Sequence, residues 1–186
     1  MSKIKSFVIK QEIKETVSIK NLELAFNQAE KRLVETLQTC DRITLRNNVL
    51  VTIVASVAAA ACAYLINKWS GYHAIDNKIW TSFFLVTYTL LLTVYMLPNI
   101  FPNGYSVTGS CPVDFVTDQY FLNSLTDEQK TIALLANEIE DYQKRIESNS
   151  DINNKRAWKY KMSVVALCLM PCLSALFYFA LEAFTS

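Results

Sequence analysis

The stretch Tyr142–Met162, YQKRIESNSDINNKRAWKYKM, is dense in charge, and the next charged residue after it is Glu182. Between them lie twenty uncharged residues, Met162 to Leu181. At roughly 1.5 Å of rise per residue, about 20 helical residues cross a hydrocarbon layer of about 30 Å. The polar stretch therefore reads as a helix that reaches a membrane surface and continues through it.

Two earlier blocks repeat this pattern, one centred on VLVTIVASVAAAACAYLI and one opening as IWTSFFLVTYTLLLTVYMLPNI. With 52% hydrophobic residues gathered into three such blocks in a 186-residue chain, buried soluble helices would leave little polar surface to keep the protein in solution. The expected fold is an all-α membrane protein: three transmembrane helices, with two long cytoplasmic amphipathic helices continuous with the first and third spans. The expected boundaries are an amphipathic helix over 1–46, a first span over 47–67, an external loop over 68–78 and a second span over 79–100. An ordered cytoplasmic loop over 101–125, a stalk helix over 126–161 and a third span over 162–182 follow.

Orientation comes from Lys and Arg: nine precede the first block, two lie between the first and second, seven lie between Gly104 and Lys161, and none follow the third. The positive-inside rule puts the N-terminus and the stalk in the cytoplasm and the C-terminus outside. The charged N-terminal region argues against a cleaved signal peptide, so the N-terminus is expected to be retained. Trp69, Tyr72, Trp80, Trp158 and Tyr160 fall near block edges, where amphipathic rings favour the headgroup zone. Lys155, Arg156, Lys159 and Lys161 form a basic collar suited to anionic lipid at the membrane surface.

Ahead of the collar, Thr126 and Gln129 have the capping-box spacing, and Asp127 and Glu128 suit the positive end of a helix dipole. Ile132, Leu135, Ile139, Tyr142 and Ile146 then recur at alternating steps of three and four, a coiled-coil-like seam for oligomer or stalk packing. The spacing continues through Asn149 and Asn153, where the seam turns polar and SNSDINN is also a place for the helix to break. In the N-terminal region Ile19, Leu22, Phe26, Ala29, Leu33, Leu37 and Cys40 form a matching stripe. Such stripes pack on each other or on other subunits. The link between second span and stalk holds three of the four prolines and two of the three glycines, yet it is rich in Phe, Tyr and Val. It reads as an ordered loop that caps the helices, and as the place to look for a ligand or partner contact.

Residues suited to catalysis are scarce. His73 stands alone in the external loop, and no metal site is expected. Cys62, Cys168 and Cys172 fall in spans, while Cys40 and Cys111 fall on the reducing side, so no disulfide framework is implied. With no phosphate loop, dinucleotide fingerprint, nucleophile elbow or metalloprotease motif, no enzymatic activity and no cofactor are expected. A net charge of +1 provides no basic field for direct nucleic-acid binding. The spans lack the intramembrane ionisable groups of a carrier. They do carry association features: Ser56 and Ala60 on a small-residue face for span packing, several hydroxyl side chains, and Pro171 as a candidate hinge.

This layout, together with LANEIEDYQKRIESNSDINNKRAWKYKMSVVALCL, resembles the small bacterial antiphage membrane effectors of the SLATT and Pycsar transmembrane type, including retron-associated membrane effectors. The likeness covers most of the chain in architecture and is local over Leu134 to Lys161. It implies an inner-membrane homo-oligomer in contact with lipid, triggered by a nucleotide signal or a separate sensor protein, that permeabilises the membrane. No attached nucleotide-sensing domain is recognisable, so sensing would fall to residues 103–161, the N-terminal helix or the separate protein. The function expected is an oligomeric, signal-gated, pore-forming effector of an abortive-infection system. The alternative is a non-conducting membrane anchor that recruits a cytoplasmic partner through its stalks.

Orientation is directly testable in a cysteine-free background. Ala74→Cys and Ser186→Cys are expected to react with an impermeant maleimide on intact cells, and Asn27→Cys only after lysis.

Overall fold

The computed structural model describes residue 9 and residues 17–70, 76–101, 104–109 and 126–185. Among these the chain forms three helices and no strand: α1 (Ile19–Ser70), α2 (Asn77–Ile100) and α3 (Asp127–Thr185). Each contains a stretch long and apolar enough to cross a membrane. Most of the expected loop over 101–125 and the tip of the external loop lie outside the described residues.

Local chemistry sets the helix starts. Ser18 precedes α1, its carbonyl accepting from the amides of Asn21 and Leu22 at 3.0 and 3.2 Å. Asp76 caps α2, its Oδ1 accepting from the Ile79 amide at 3.0 Å. At α3 the capping box is closed in both directions: the Gln129 amide donates to Thr126 Oγ1 at 3.3 Å, and the Thr126 amide donates to Gln129 Oε1 at 3.1 Å. Two initial amides that lack intrahelical partners are thereby satisfied.

The two internal prolines behave differently. Pro98 lies in the last turn of α2, which ends two residues later at Ile100, whereas α3 continues through Pro171 for its full 59 residues. SNSDINN does not break α3 either, and the helix is continuous from the polar stretch into the third apolar block.

The chain divides into two compact units. The first takes its described residues from Met1–Asp41 and Asn103–Asn154. In it Leu22, Leu33 and Cys40 of α1 and Ala136, Ile139 and Tyr142 of α3 are buried. The rings of Phe26 and Tyr142 meet edge-on at 5.3 Å. Ile19, Phe26, Ala29 and Leu37 of the α1 stripe are half-buried, as are Ile132, Leu135 and Ile146 of the α3 seam.

The second unit, Arg42–Pro102 and Lys155–Ser186, contains all three apolar blocks. Leu50, Val54, Leu92 and Met96 make its buried cluster, flanked by Tyr88, Tyr160, Val164 and Leu167. The Tyr88 hydroxyl donates to the Ala166 carbonyl at 2.8 Å, and Phe84 stacks on Phe177 at 4.7 Å. Buried Thr89 and Ser163 turn their hydroxyls back onto carbonyls of their own helices, so neither presents an unmet donor to the apolar interior. Ser56 and Ala60 are exposed, as is Pro171.

Few residues of the apolar blocks are buried by the chain itself. Phe83, Leu90, Leu91, Val94, Val165, Leu169, Leu176 and Phe179 all face outward. A surface of this kind is costly in water and costs nothing in hydrocarbon, which is compatible with a multi-pass membrane protein. Buried and outward positions should then respond differently to truncation. Met96→Ala is expected to cost about 2 to 5 kcal/mol through the cavity it leaves, measured by reversible unfolding in detergent, while Leu91→Ala leaves stability nearly unchanged.

A buried polar clamp as the candidate functional site

The last carbonyls of a helix have no intrahelical donor, and they form the negative end of its dipole. Near the end of α2, Asn99 is buried. Side chains from the other two helices supply donors instead. Arg156 of α3 donates from Nη2 to the carbonyl of Asn99 and, at 2.7 Å, to Thr44 Oγ1 of α1. Asn99 answers with its own amide, which donates to the Arg156 carbonyl at 3.2 Å. One turn away, Asn47 of α1 donates from Nδ2 to the Met96 carbonyl at 3.3 Å.

All three helices therefore converge on the end of α2. Arg156 is 6% exposed, and among the described residues it is the only buried charged side chain. This corrects its place in the expected membrane-surface collar: Lys155 and Lys161 are exposed and Lys159 is half-buried, but Arg156 turns inward. The planar, always-charged guanidinium suits this position because it donates to several acceptors in a fixed geometry. Hydrogen bonds to a charged group contribute about 1.5 to 3 kcal/mol each, and here they offset the desolvation of the charge. Satisfaction is not complete. Buried Asn47 Oδ1 has no hydrogen-bond partner among the described residues.

The first unit has its own polar cluster. Asn149, fully buried, accepts from the Ser106 amide at 3.0 Å and donates to the Ser106 carbonyl at 2.9 Å and to Thr36 Oγ1 at 3.3 Å. Asn153 accepts from the Tyr105 hydroxyl at 2.6 Å and donates to the Thr36 carbonyl at 2.8 Å. Further along the segment, the Gly109 amide donates to the Tyr142 hydroxyl at 3.2 Å, and Arg145 donates to the Gly109 carbonyl at 2.7 Å. Gly104 and Gly109 have φ of 79° and 88°, so the turns at either end of this segment need residues without a Cβ. Residues 104–109 are thus strapped to α3 through backbone groups, which explains their order despite the lack of regular structure.

On the exposed face of α3, Lys144 donates to Asp141 at 3.0 Å. That hydrogen bond, reinforced by the carboxylate's charge, holds the lysine above its usual range. The pair is solvated and contributes little.

In the sequence Asn149 and Asn153 stand where the seam turns polar, with nothing local to show their partners, and Thr44, Asn47 and Asn99 are not marked by any local motif. The signal was the spacing. Steps of four and three carry the α3 seam from Ile146 through Asn149 and Asn153 to Arg156, and the α1 stripe from Cys40 through Thr44 to Asn47. Among the described residues no cluster of His, Cys, Asp and Glu is suited to a metal ion. Comparison with family models, curated proteins and solved structures returns no match to this chain.

The strap is testable by hydrogen exchange. Asn149→Ala is expected to speed exchange in a peptide covering residues 104–109 by about tenfold or more, the effect of losing about 1.5 kcal/mol of local stability.

Proposed function

We propose that this chain is a multi-pass inner-membrane protein that assembles with copies of itself and permeabilises the membrane on a signal, as an effector of a bacterial antiphage system. In this reading the amphipathic parts of α1 and α3 lie in the cytoplasm and receive the trigger, a nucleotide or a separate sensor protein. The apolar parts of all three helices span the bilayer, and their outward faces meet lipid and neighbouring subunits.

The observation that carries the proposal is the Arg156 clamp. A charge buried among spans and bonded to the end of α2 holds the three helices in one arrangement, and its bonds must break before they rearrange. The energies suit a switch. Moving a two-state equilibrium from 1:99 to 99:1 takes about 5.5 kcal/mol, close to the two charge-assisted hydrogen bonds of Arg156 at about 1.5 to 3 kcal/mol each. A trigger that binds the released arrangement better by that amount opens the assembly.

The test is induced expression in a bacterial host, read with a potential-sensitive dye and propidium uptake, with and without phage infection. Wild type is expected to depolarise cells only when triggered. Arg156→Gln, at matched membrane levels, depolarises them without a trigger. If cells expressing either protein stay polarised and intact under every condition, the effector reading fails and a non-conducting anchor replaces it.

A further inference from the structure

The second unit contains an open groove of about 480 Å³ at the end opposite the clamp, formed by the last turns of the apolar parts of α1 and α3 and the first turns of α2. Its size falls within the roughly 300 to 1,000 Å³ of small-molecule sites. Its walls are mostly carbon: Tyr64 of α1 and Ala175, Tyr178 and Phe179 of α3, with Lys78 and Ser82 of α2 also lining it. The Thr81 and Ser174 hydroxyls also reach this surface, but each donates to a carbonyl of its own helix, Asn77 at 2.8 Å and Met170 at 2.9 Å. The walls therefore ask for an apolar guest.

The rim asks for something else. Lys78 is exposed, and among the described residues no carboxylate pairs with its ammonium. Its nearest acidic neighbour in the chain, Asp76, is engaged as the cap of α2 through the Ile79 amide. Long cationic side chains at membrane interfaces lay their carbon stems on apolar surface and keep the ammonium hydrated, and an exposed lysine lining an apolar groove is suited to that role. An apolar groove with a cation at its mouth complements an amphiphile with an anionic head.

We propose that this groove binds one anionic phospholipid, its phosphate on Lys78 and an acyl chain against Tyr64, Tyr178 and Phe179. The inference rests on the membrane-spanning part and the orientation of the functional reading, and not on permeabilisation. Groove and lysine lie in the outer leaflet, and lipid enters sideways from the bilayer. A bound lipid bridges all three helices at this end, where few residues of the α3 apolar block are buried by the chain itself.

Native mass spectrometry of the delipidated full chain in detergent, with dioleoyl phosphatidylglycerol and dioleoyl phosphatidylcholine in equal amounts, tests this. Phosphatidylglycerol adducts are expected to exceed phosphatidylcholine adducts about fivefold, the preference one lysine confers at an anionic surface. Lys78→Gln should abolish that preference while keeping some acyl binding. Ala175→Trp, which fills the groove, should lose both adducts, and Lys144→Gln on the polar part of α3 should change nothing. Thermal melting in detergent checks that each variant is folded. Equal adducts of the two lipids on wild type, a preference that survives Lys78→Gln, or binding of glycerol phosphate as strong as that of the lipid would each overturn the proposal. Membrane insertion is scored separately by alkaline extraction, and lipid binding is read without any conduction. Failure of the groove, of insertion and of the effector activity are thereby distinguishable.

Discussion

A helix that ends inside an apolar assembly must find donors for its last carbonyls, and α2 ends in such a place. The Asn99 carbonyl is met by Arg156, with Thr44 sharing the arginine, and Asn47 adds a second donor to the Met96 carbonyl one turn earlier. This requirement explains why the unit richest in apolar residues also contains buried asparagines and a buried guanidinium. A lysine would deliver a compact, strongly hydrated charge from a flexible stem, with a larger desolvation cost and no fixed geometry. An apolar residue in place of Arg156 would leave the buried Asn99 carbonyl without this donor, at a cost of about 1 to 3 kcal/mol.

Arg156 belongs to one continuous stripe of α3. Residues 132, 135, 139, 142, 146, 149, 153, 156, 160, 163, 167, 170, 174 and 177 follow one another at steps of three and four, and all are buried or half-buried. A repeat averaging 3.5 residues keeps one stripe turned inward along the helix, as in left-handed coiled coils. The chemistry of the stripe changes while its phase does not. It is apolar at Ile139, amide at Asn149 and Asn153, cationic at Arg156 and apolar again at Leu167 and Met170.

This constancy of phase shows what was legible in the sequence and what was not. Three apolar helices, the α3 capping box and the stripe of α1 follow from length, spacing and local chemistry. Arg156 did not follow, because a basic residue beside Lys155, Lys159 and Lys161 looks like part of a solvated collar. Only its heptad position separates it from them, and its acceptors belong to a carbonyl and a threonine far away in sequence. Asn99 was hidden in another way: it lies in the expected second span, and its partner Arg156 is far away in sequence. SNSDINN looked like a break because Asn, Ser and Asp favour turns in isolation. In the folded chain the two asparagines on the stripe are fixed by partners at Thr36, Tyr105 and Ser106, so tertiary bonds outweigh local preference.

The prolines follow from the same logic. Pro98 and Pro171 each remove one amide donor and crowd the preceding turn, yet only Pro98 lies near a helix end. Beyond Pro98, Arg156 meets the Asn99 carbonyl and makes termination cheap, and continuing the helix would set a backbone amide against that same carbonyl. Beyond Pro171, stopping would abandon Ser174 and Phe177, which are half-buried on the stripe, along with the stacking of Phe177 on Phe84. Pro171 itself is exposed and off the stripe. The fate of each proline is thus decided by what the next turn would lose.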